Sequence, residues 1–111
     1  DYKSVKDINR LMKDQMILYD YKYMTPEIVW DYGKKIPPID KQGIEKLLIT
    51  YNHEYVGVLC MQDKTDELIK SLEGKYTVRK VSYVDLNTAS PESKDYKQRL
   101  ARNFFIIFKN Y

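Results

Sequence analysis

The sequence predicts an α+β fold in which N-terminal helices pack on a small three-stranded sheet with βαβ-type connections. Apolar residues recur at three- and four-residue spacing through much of residues 4–52, as they do on the buried face of a helix. Residues 55–61 and 104–108 are instead compact apolar runs, which are typical of buried strands. The 111 residues fit a single domain, mainly helical over 4–52 and βαβαβ-like over 54–111.

The first predicted helix begins at Ser4 and reaches about Lys22. Its end has an alternative interpretation as a strand, because apolar and polar residues alternate over residues 17–23. We prefer the helix, since Thr-Pro-Glu at residues 25–27 immediately opens another one, with Thr as N-cap and Pro at the first helical position. This second helix should end at Gly33.

The third predicted helix begins after Asp40 and ends before Asn52. Residues 34–38 precede it as a stiff connector, because consecutive prolines favour extended backbone. Asp40 is the expected N-cap, and Ile39 and Ile44 flank it at the spacing of a hydrophobic staple. This helix carries the strongest local signals in the chain.

The second half of the chain predicts a βαβ unit. Residues 55–61 should form a strand that is buried on both faces. A helix should follow, with Asp63 or Thr65 as its cap and Gly74 at its end, and residues 76–86 should form the next strand. The connection between the two strands has about the dozen residues that a parallel crossover needs.

The C-terminal segment allows two interpretations. Ser-Pro-Glu at residues 90–92 should open a helix that reaches about Arg102. Residues 104–108 favour a strand because they are aromatic or β-branched, although helical spacing also continues through them. Ile44, Leu47, Leu48, Val56, Val58, Leu59, Leu68, Leu72, Val81, Leu100, Phe104, Ile106 and Phe108 are the predicted core.

The charge distribution predicts a weakly basic surface. The net charge is +3, and residues 87–111 alone carry five basic and two acidic residues. This balance argues against a nucleic-acid mimic, whereas a local basic surface can follow a phosphate backbone. A solvated helix face is the alternative explanation. The predicted nucleic-acid-binding residues are Lys94, Lys97, Arg99 and Arg102, together with Lys34, Lys35, Arg79 and Lys80.

Tyrosine is abundant, with 11 residues in this short chain. Its large ring and polar tip are favoured at protein interfaces and as platforms for stacked bases. The alternative is codon bias, because Lys greatly outnumbers Arg, as in an AT-rich genome. The predicted protein interface consists of Tyr19, Tyr21, Tyr23, Trp30 and Tyr32.

Few residues suggest chemistry. Asp63 and Asp85 both follow predicted strands and could share a cation if those strands are adjacent, but helix capping and turn formation explain them equally well. His53 is the only histidine and lies at a helix end, and Cys60 lies inside the most apolar strand, where its thiol should be inert. We therefore predict no catalytic residues, no metal site and no cofactor.

The leading functional hypothesis is a non-catalytic accessory module of an intracellular nucleic-acid-handling system. It would contact a protein partner and, through its basic C-terminal surface, nucleic acid. One alternative is a pure protein-interaction regulator, inhibitor or small subunit. Another is a toxin-like, metal-independent ribonuclease using His53, Tyr83, Arg79 or Arg99.

Three further expectations concern location and assembly. No run approaches the ~18 apolar residues of a membrane span, so we expect no membrane contact and a cytoplasmic location. A narrow sheet with open edges also favours a homodimer formed through one of those edges.

Overall fold

The computed structural model describes residues 2–3, 17–22, 28, 35–85, 87, 92–94 and 100–110. Its strands are β1 (Tyr2–Lys3), β2 (Leu18–Tyr21), β3 (Pro38–Ile39), β4 (Val56–Cys60), β5 (Tyr76–Asp85) and β6 (Ala101–Lys109). Its helices are α1 (Lys41–Glu45), which continues as a π-helical turn over Lys46–Thr50, and α2 (Thr65–Leu72), which follows a 3-10 turn over Gln62–Lys64.

In this part of the chain the strands form one six-stranded sheet, in the order β1-β5-β6-β4-β2-β3. Strand β6 is antiparallel to both β4 and β5, and the remaining pairs are parallel, so every strand except β6 runs in the same direction. The predicted fold of N-terminal helices on a three-stranded sheet is therefore wrong, because residues 2–3, 18–21 and 38–39 are strands of a mixed sheet.

Strand β2 shows why the helix prediction failed. Residues 18–21 pair with β4 on one side, where Tyr19 lies opposite Val58, and with β3 on the other, where Asp20 lies opposite Pro38. Such pairings join residues that are distant in sequence, and they override local helical preference. The alternation of tyrosines was the correct signal. Residues 4–16, which carry the rest of that predicted helix, lie outside the described residues.

The predicted C-terminal helix is wrong where the structure describes it. Glu92 and Lys94 lie in turns, and Ala101 and Arg102 already belong to β6. Residues 95–99 lie outside the described part. The strand predicted at 104–108 is confirmed, and it extends over Ala101–Lys109.

The predicted N-terminus of α1 is confirmed. Asp40 is the N-cap, and its Oδ1 accepts a hydrogen bond of 2.9 Å from the Gly43 backbone N–H. Ile39 and Ile44 are both buried in the same core cluster, as the staple predicts. The helical segment ends at Thr50, and Asn52, two residues further on, has a φ of 54° in the left-handed region. Of the second predicted helix the structure describes only Ile28, which is helical and fully buried.

The unit formed by β4, α2 and β5 is present, with one change in topology. Strand β4 is buried along its whole length, and α2 ends before Gly74, which has a φ of +88°, so these predictions are confirmed. Strand β6 lies between β4 and β5, so the two parallel strands are not adjacent. The predicted cap is wrong, because Lys64 is the N-cap and makes no side-chain hydrogen bond there.

The core lies on both faces of the sheet. Helices α1 and α2 cover one face, with Ile44, Leu48, Leu68 and Leu72 in one cluster with Val58. The opposite face holds a second cluster, made of Leu18, Ile28, Ile36, Leu59, Val84 and Phe104.

Most of the predicted core is confirmed. The buried members are Ile44, Leu48, Val56, Val58, Leu59, Leu68, Leu72 and Phe104. Leu47, Leu100, Ile106 and Phe108 are only half-buried. The prediction that Val81 belongs to the core is wrong, because Val81 is 38 % exposed. The register of β5 against β6 shifts between Lys80 and Ser82, so Val81 is the extra residue of a bulge and does not face the core.

Candidate functional site

The predicted nucleic-acid-binding residues do not form one surface on a helix. Lys35, Arg79, Lys80 and Lys94 are exposed, while Arg102 is completely buried. Lys34, Lys97 and Arg99 lie outside the described residues, so their predicted role stays a prediction. Of the C-terminal group, the structure therefore places Lys94 at the surface and Arg102 in the interior.

Arg102 forms a buried ion pair with Asp20. Its Nε donates to Asp20 Oδ1 at 3.0 Å and its Nη2 donates to Oδ2 at 3.2 Å, while Nη1 donates to the Ala101 carbonyl at 2.9 Å. The pair joins β6 to β2, the strands on either side of β4. Burial raises the pKa of Asp20, although the hydrogen bond and charge of Arg102 act in the opposite direction. This guanidinium holds the sheet together and does not face solvent.

Arg79 and Lys80 form a second arrangement of cations, on β5. Both side chains are exposed, and as consecutive strand residues they project to opposite faces of the sheet. The Arg79 guanidinium lies 5.5 Å from the centre of the Phe108 ring, and Lys80 Nζ lies 6.0 Å from that of Tyr83. Both rings are half-buried. We call Arg79, Lys80, Tyr83 and Phe108 the basic edge.

The predicted tyrosine interface is only partly described. Tyr21 is 1 % exposed, so its ring belongs to the core rather than to an interface. Tyr19 is half-buried and packs against the same core cluster, and burial raises its pKa. Tyr23, Trp30 and Tyr32 lie outside the described residues.

Two adjoining clefts lie at the carboxyl ends of β2 and β3. One, of about 460 Å³, is lined by Lys22, Pro38, Ile39, Asp40 and Gly43. The other, of about 370 Å³, is lined by Tyr21, Lys22, Asp40, Lys41, Gln42, Glu67 and Ser71. Because they share Lys22 and Asp40, we describe them together as the β2–β3 cleft. Carboxyl ends of parallel strands are a common place for ligand sites in open α/β sheets.

A hydrogen-bonded group fixes one wall of the β2–β3 cleft. Glu67 Oε2 accepts from the Tyr21 hydroxyl at 2.7 Å and lies 2.7 Å from Lys22 Nζ. The hydrogen bond from Lys22 is the largest cause that lowers the pKa of Glu67, while burial is the main cause that raises the pKa of Tyr21. Tyr21 therefore stays a neutral donor and Glu67 a charged acceptor at neutral pH. Lys22 itself has a φ of 58°, which few residues other than glycine adopt.

Neither Asp20 nor Glu67 was predicted as a site residue from the sequence. For Asp20 a signal was present, since it stands alone as a charge within the apolar and aromatic run of residues 18–21, as Arg102 does before residues 104–108. A lone charge inside a buried strand needs a partner. Glu67 carried no comparable signal, because it lies on the exposed side of an ordinary amphipathic helix.

Asp63 and Asp85 are not brought together by adjacent strands. Asp63 follows β4 and is exposed in the 3-10 turn, whereas Asp85 is the last residue of β5, and β6 separates these two strands. Asp85 Oδ1 accepts from the Asn87 backbone N–H at 2.9 Å and from Asn87 Nδ2 at 2.7 Å, as the turn interpretation predicts. Across the described ranges, no group of three His, Cys, Asp or Glu side chains gathers as for a metal ion.

Two buried polar atoms have no hydrogen-bond partner within the described part of the chain, Asn103 Oδ1 and Ser82 Oγ. Asn103 Nδ2 donates to Gln62 Oε1 at 2.9 Å and to Thr65 Oγ1 at 3.1 Å, so that residue is anchored by its amide nitrogen. Asn103 lies opposite Tyr83 and Ser82 lies opposite Phe104 in the register. Their side chains thus occupy opposite faces of the sheet and do not form one site.

The remaining candidates stay separate. Burial raises the pKa of the Cys60 thiol to about 11, so it is protonated at neutral pH, in keeping with an inert side chain. His53 precedes the amino end of β4, whereas Tyr83 lies near the carboxyl end of β5. Because β4 and β5 run in the same direction, these two ribonuclease candidates lie toward opposite ends of the sheet.

Among the residues that the structure places, no helix has the length and apolar character needed to cross a membrane. Comparison of the chain with protein-family models, with curated proteins and with solved structures found no match in any of the three.

Proposed function

We propose that this protein is a non-catalytic accessory module of a nucleic-acid-handling system and that it contacts nucleic acid through the basic edge. The observation that supports the proposal is the pairing of two exposed cations of β5, Arg79 and Lys80, with two aromatic rings, Phe108 of the neighbouring strand β6 and Tyr83 of β5. Cations that contact phosphates and rings that stack on bases are the two components of surfaces that bind single strands.

The shape of the basic edge suits an extended strand. Arg79 and Lys80 reach to either face of β5, so a backbone lying along this strand meets a cation on both sides. The bulge at Val81 displaces the chain outward at the same place and exposes its apolar side chain. The half-buried rings of Tyr83 and Phe108 lie beneath the cations, which move aside when a base stacks there.

The same strand supplies a surface for a protein partner. Within the described ranges, β1 covers the outer side of β5 only at Tyr83 and Val84. No described residue pairs with residues 76–80 on that side, and we propose that another chain or a second copy pairs with their backbone N–H and C=O groups. Lys80 and the bulge limit such pairing to a partner that complements the positive charge.

The test is to replace the two cations by neutral residues and measure nucleic-acid binding. We expect the parent protein to bind a fluorescent single-stranded oligothymidine at low salt. Arg79→Gln with Lys80→Gln should weaken this binding at least about tenfold and should reduce the slope of log K against log salt by about 1.4, as expected for two lost phosphate contacts. Fluorescence anisotropy over a salt series measures both quantities.

The matched control is the double variant Lys46→Gln with Lys70→Gln. It removes two other exposed cations, one from the π-helical turn after α1 and one from α2. It changes the net charge by the same amount, so it separates a local contact from a general charge effect. Equal weakening by the control, or no binding of the parent protein at low salt, contradicts the proposed nucleic-acid contact.

A further inference from the structure

The β2–β3 cleft presents polar groups whose orientation the fold already fixes. Glu67 is held through Oε2 by Tyr21 and Lys22, and the structure gives no partner to its Oε1 within the described residues. Asp40 uses Oδ1 to cap α1, and its Oδ2 has no partner there either. Both carboxylates therefore keep an acceptor oxygen for a ligand.

The charges that line the cleft balance. Lys22 and Lys41 contribute two positive charges, and Asp40 and Glu67 contribute two negative ones. A strongly charged ligand gains no net attraction from such a lining, and an anion would meet two carboxylates. A neutral ligand that both donates and accepts hydrogen bonds uses all of these groups.

The cleft also has an apolar side. Pro38 is exposed at its rim, and the largely buried Ile39 lies beside it. The part of the cleft that Pro38 and Ile39 line has a volume of about 460 Å³, and the adjoining part that Glu67 and Lys41 line has about 370 Å³. Both volumes fall in the range of small-molecule sites. A ring with neighbouring hydroxyls on its edge and C–H groups on its face meets these conditions together.

We propose that the β2–β3 cleft binds the vicinal diol of a neutral sugar ring. The two hydroxyls donate to Glu67 Oε1 and Asp40 Oδ2, and Lys22 and Lys41 donate to the hydroxyl oxygens. The face of the ring packs on Pro38 and Ile39. The diol can come from a free sugar or from a ribonucleoside, and the two sources differ in whether the base adds to the binding. This site is separate from the basic edge and does not depend on it.

The test uses ribose, adenosine and 2′-deoxyadenosine as probes, with backbone amide chemical shifts of the labelled protein as the measurement. We expect saturable shifts at Lys22, Asp40 and Gly43 with adenosine, and binding at least about tenfold weaker with 2′-deoxyadenosine, because one hydrogen bond to a charged group is lost. Binding of ribose with similar affinity identifies a free sugar as sufficient, and binding of adenosine alone identifies a nucleoside.

The variant Glu67→Gln should weaken binding about tenfold, whereas Glu73→Gln, an exposed change just beyond the end of the same helix, should leave it unchanged. Thermal unfolding shows whether both variants remain folded. No shifts with any probe, equal binding of the deoxynucleoside, or equal effects of the two variants overturn the proposal. None of these results bears on the oligothymidine measurement, so the two proposals fail independently.

Discussion

Replacing either Asp20 or Arg102 alone should lower the free energy of unfolding strongly. Each is at most 1 % exposed, and they are joined by two hydrogen bonds across the end of β4. Moving both charges out of water is unfavourable, so such a pair contributes little net stability compared with apolar residues of the same shape. Removing one partner is different, because the other charge is then left buried and uncompensated.

Arg102→Met should lower the free energy of unfolding at neutral pH by about 3–5 kcal/mol. Without the guanidinium, burial alone acts on Asp20, so its pKa in the folded variant lies above the unfolded value of about 3.9. The variant is therefore least stable above that raised pKa and recovers stability as pH falls toward about 4, where the carboxyl is protonated.

Urea denaturation of the parent protein and the variant at several pH values measures this difference. The double variant Asp20→Asn with Arg102→Met serves as the control, because no charge remains to be buried, and it should be more stable at neutral pH than Arg102→Met alone. A loss below about 1 kcal/mol for Arg102→Met, the size expected for an exposed pair, would contradict the burial of the pair.

The start of α1 depends both on local capping signals and on the close packing of Gly43 against Ile39. Asp40 satisfies the Gly43 amide, and the staple of Ile39 and Ile44 fixes the entry of the chain. Gly43 is required because a Cβ there would lie 2.8 Å from Ile39 Cγ1. The helix then widens into a π-helical turn, in which the Tyr51 amide donates to Lys46 O.

Asp40→Ala should lower the free energy of unfolding by about 1 kcal/mol, because the cap hydrogen bond to Gly43 is lost. Asp40→Asn should lower it far less, since an amide oxygen caps nearly as well. Thermal or urea unfolding of the two variants compares them directly. Equal losses for both would mean that the charge of Asp40, rather than its hydrogen bond, stabilises α1.

Elements with local signals were predictable, and those made by distant pairing were not. Local signals of this kind involve residues only a few positions apart in the sequence. They are the N-cap Asp40, the helix end before Gly74 and the apolar run of β4. Strands β1, β2 and β3 are short, and their partners are remote in sequence, so local spacing could not identify them. For the same reason, charge alone was enough to predict Arg79 and Lys80 as binding residues. Glu67 could not be predicted, because its role depends on the contact of α2 with Tyr21 and Lys22.

The described sheet should be most stable at its central strands and least stable at its two edges. Strands β4 and β6 have neighbours on both sides, whereas β1 and β3, at the two ends of the strand order, have two residues each. Each central strand also contributes fully or largely buried residues to the core, Val58 on β4 and Phe105 and Ile107 on β6. Stability should therefore decrease from the centre of the sheet outward.

Native-state hydrogen exchange should show this gradient. Amides of β4 and β6 should exchange only through global unfolding, while those of β3 should exchange through local opening at a lower free energy. Exchange measured by NMR over a series of low urea concentrations separates the two classes. Equal exchange free energies for β3 and β4 would contradict the arrangement of the sheet.

The position of β6 also bears on how the protein is made. Residues 101–109 follow every other described strand in the sequence, yet they occupy the place between β4 and β5. The described strands that precede residue 100 fall into two groups, β3-β2-β4 and β1-β5, which β6 joins. A nascent polypeptide that has emerged from the ribosome only as far as residue 100 therefore lacks this joining strand. Arg102 belongs to that joining strand, so Asp20 gains its counter-charge only after β1 to β5 have all been synthesised.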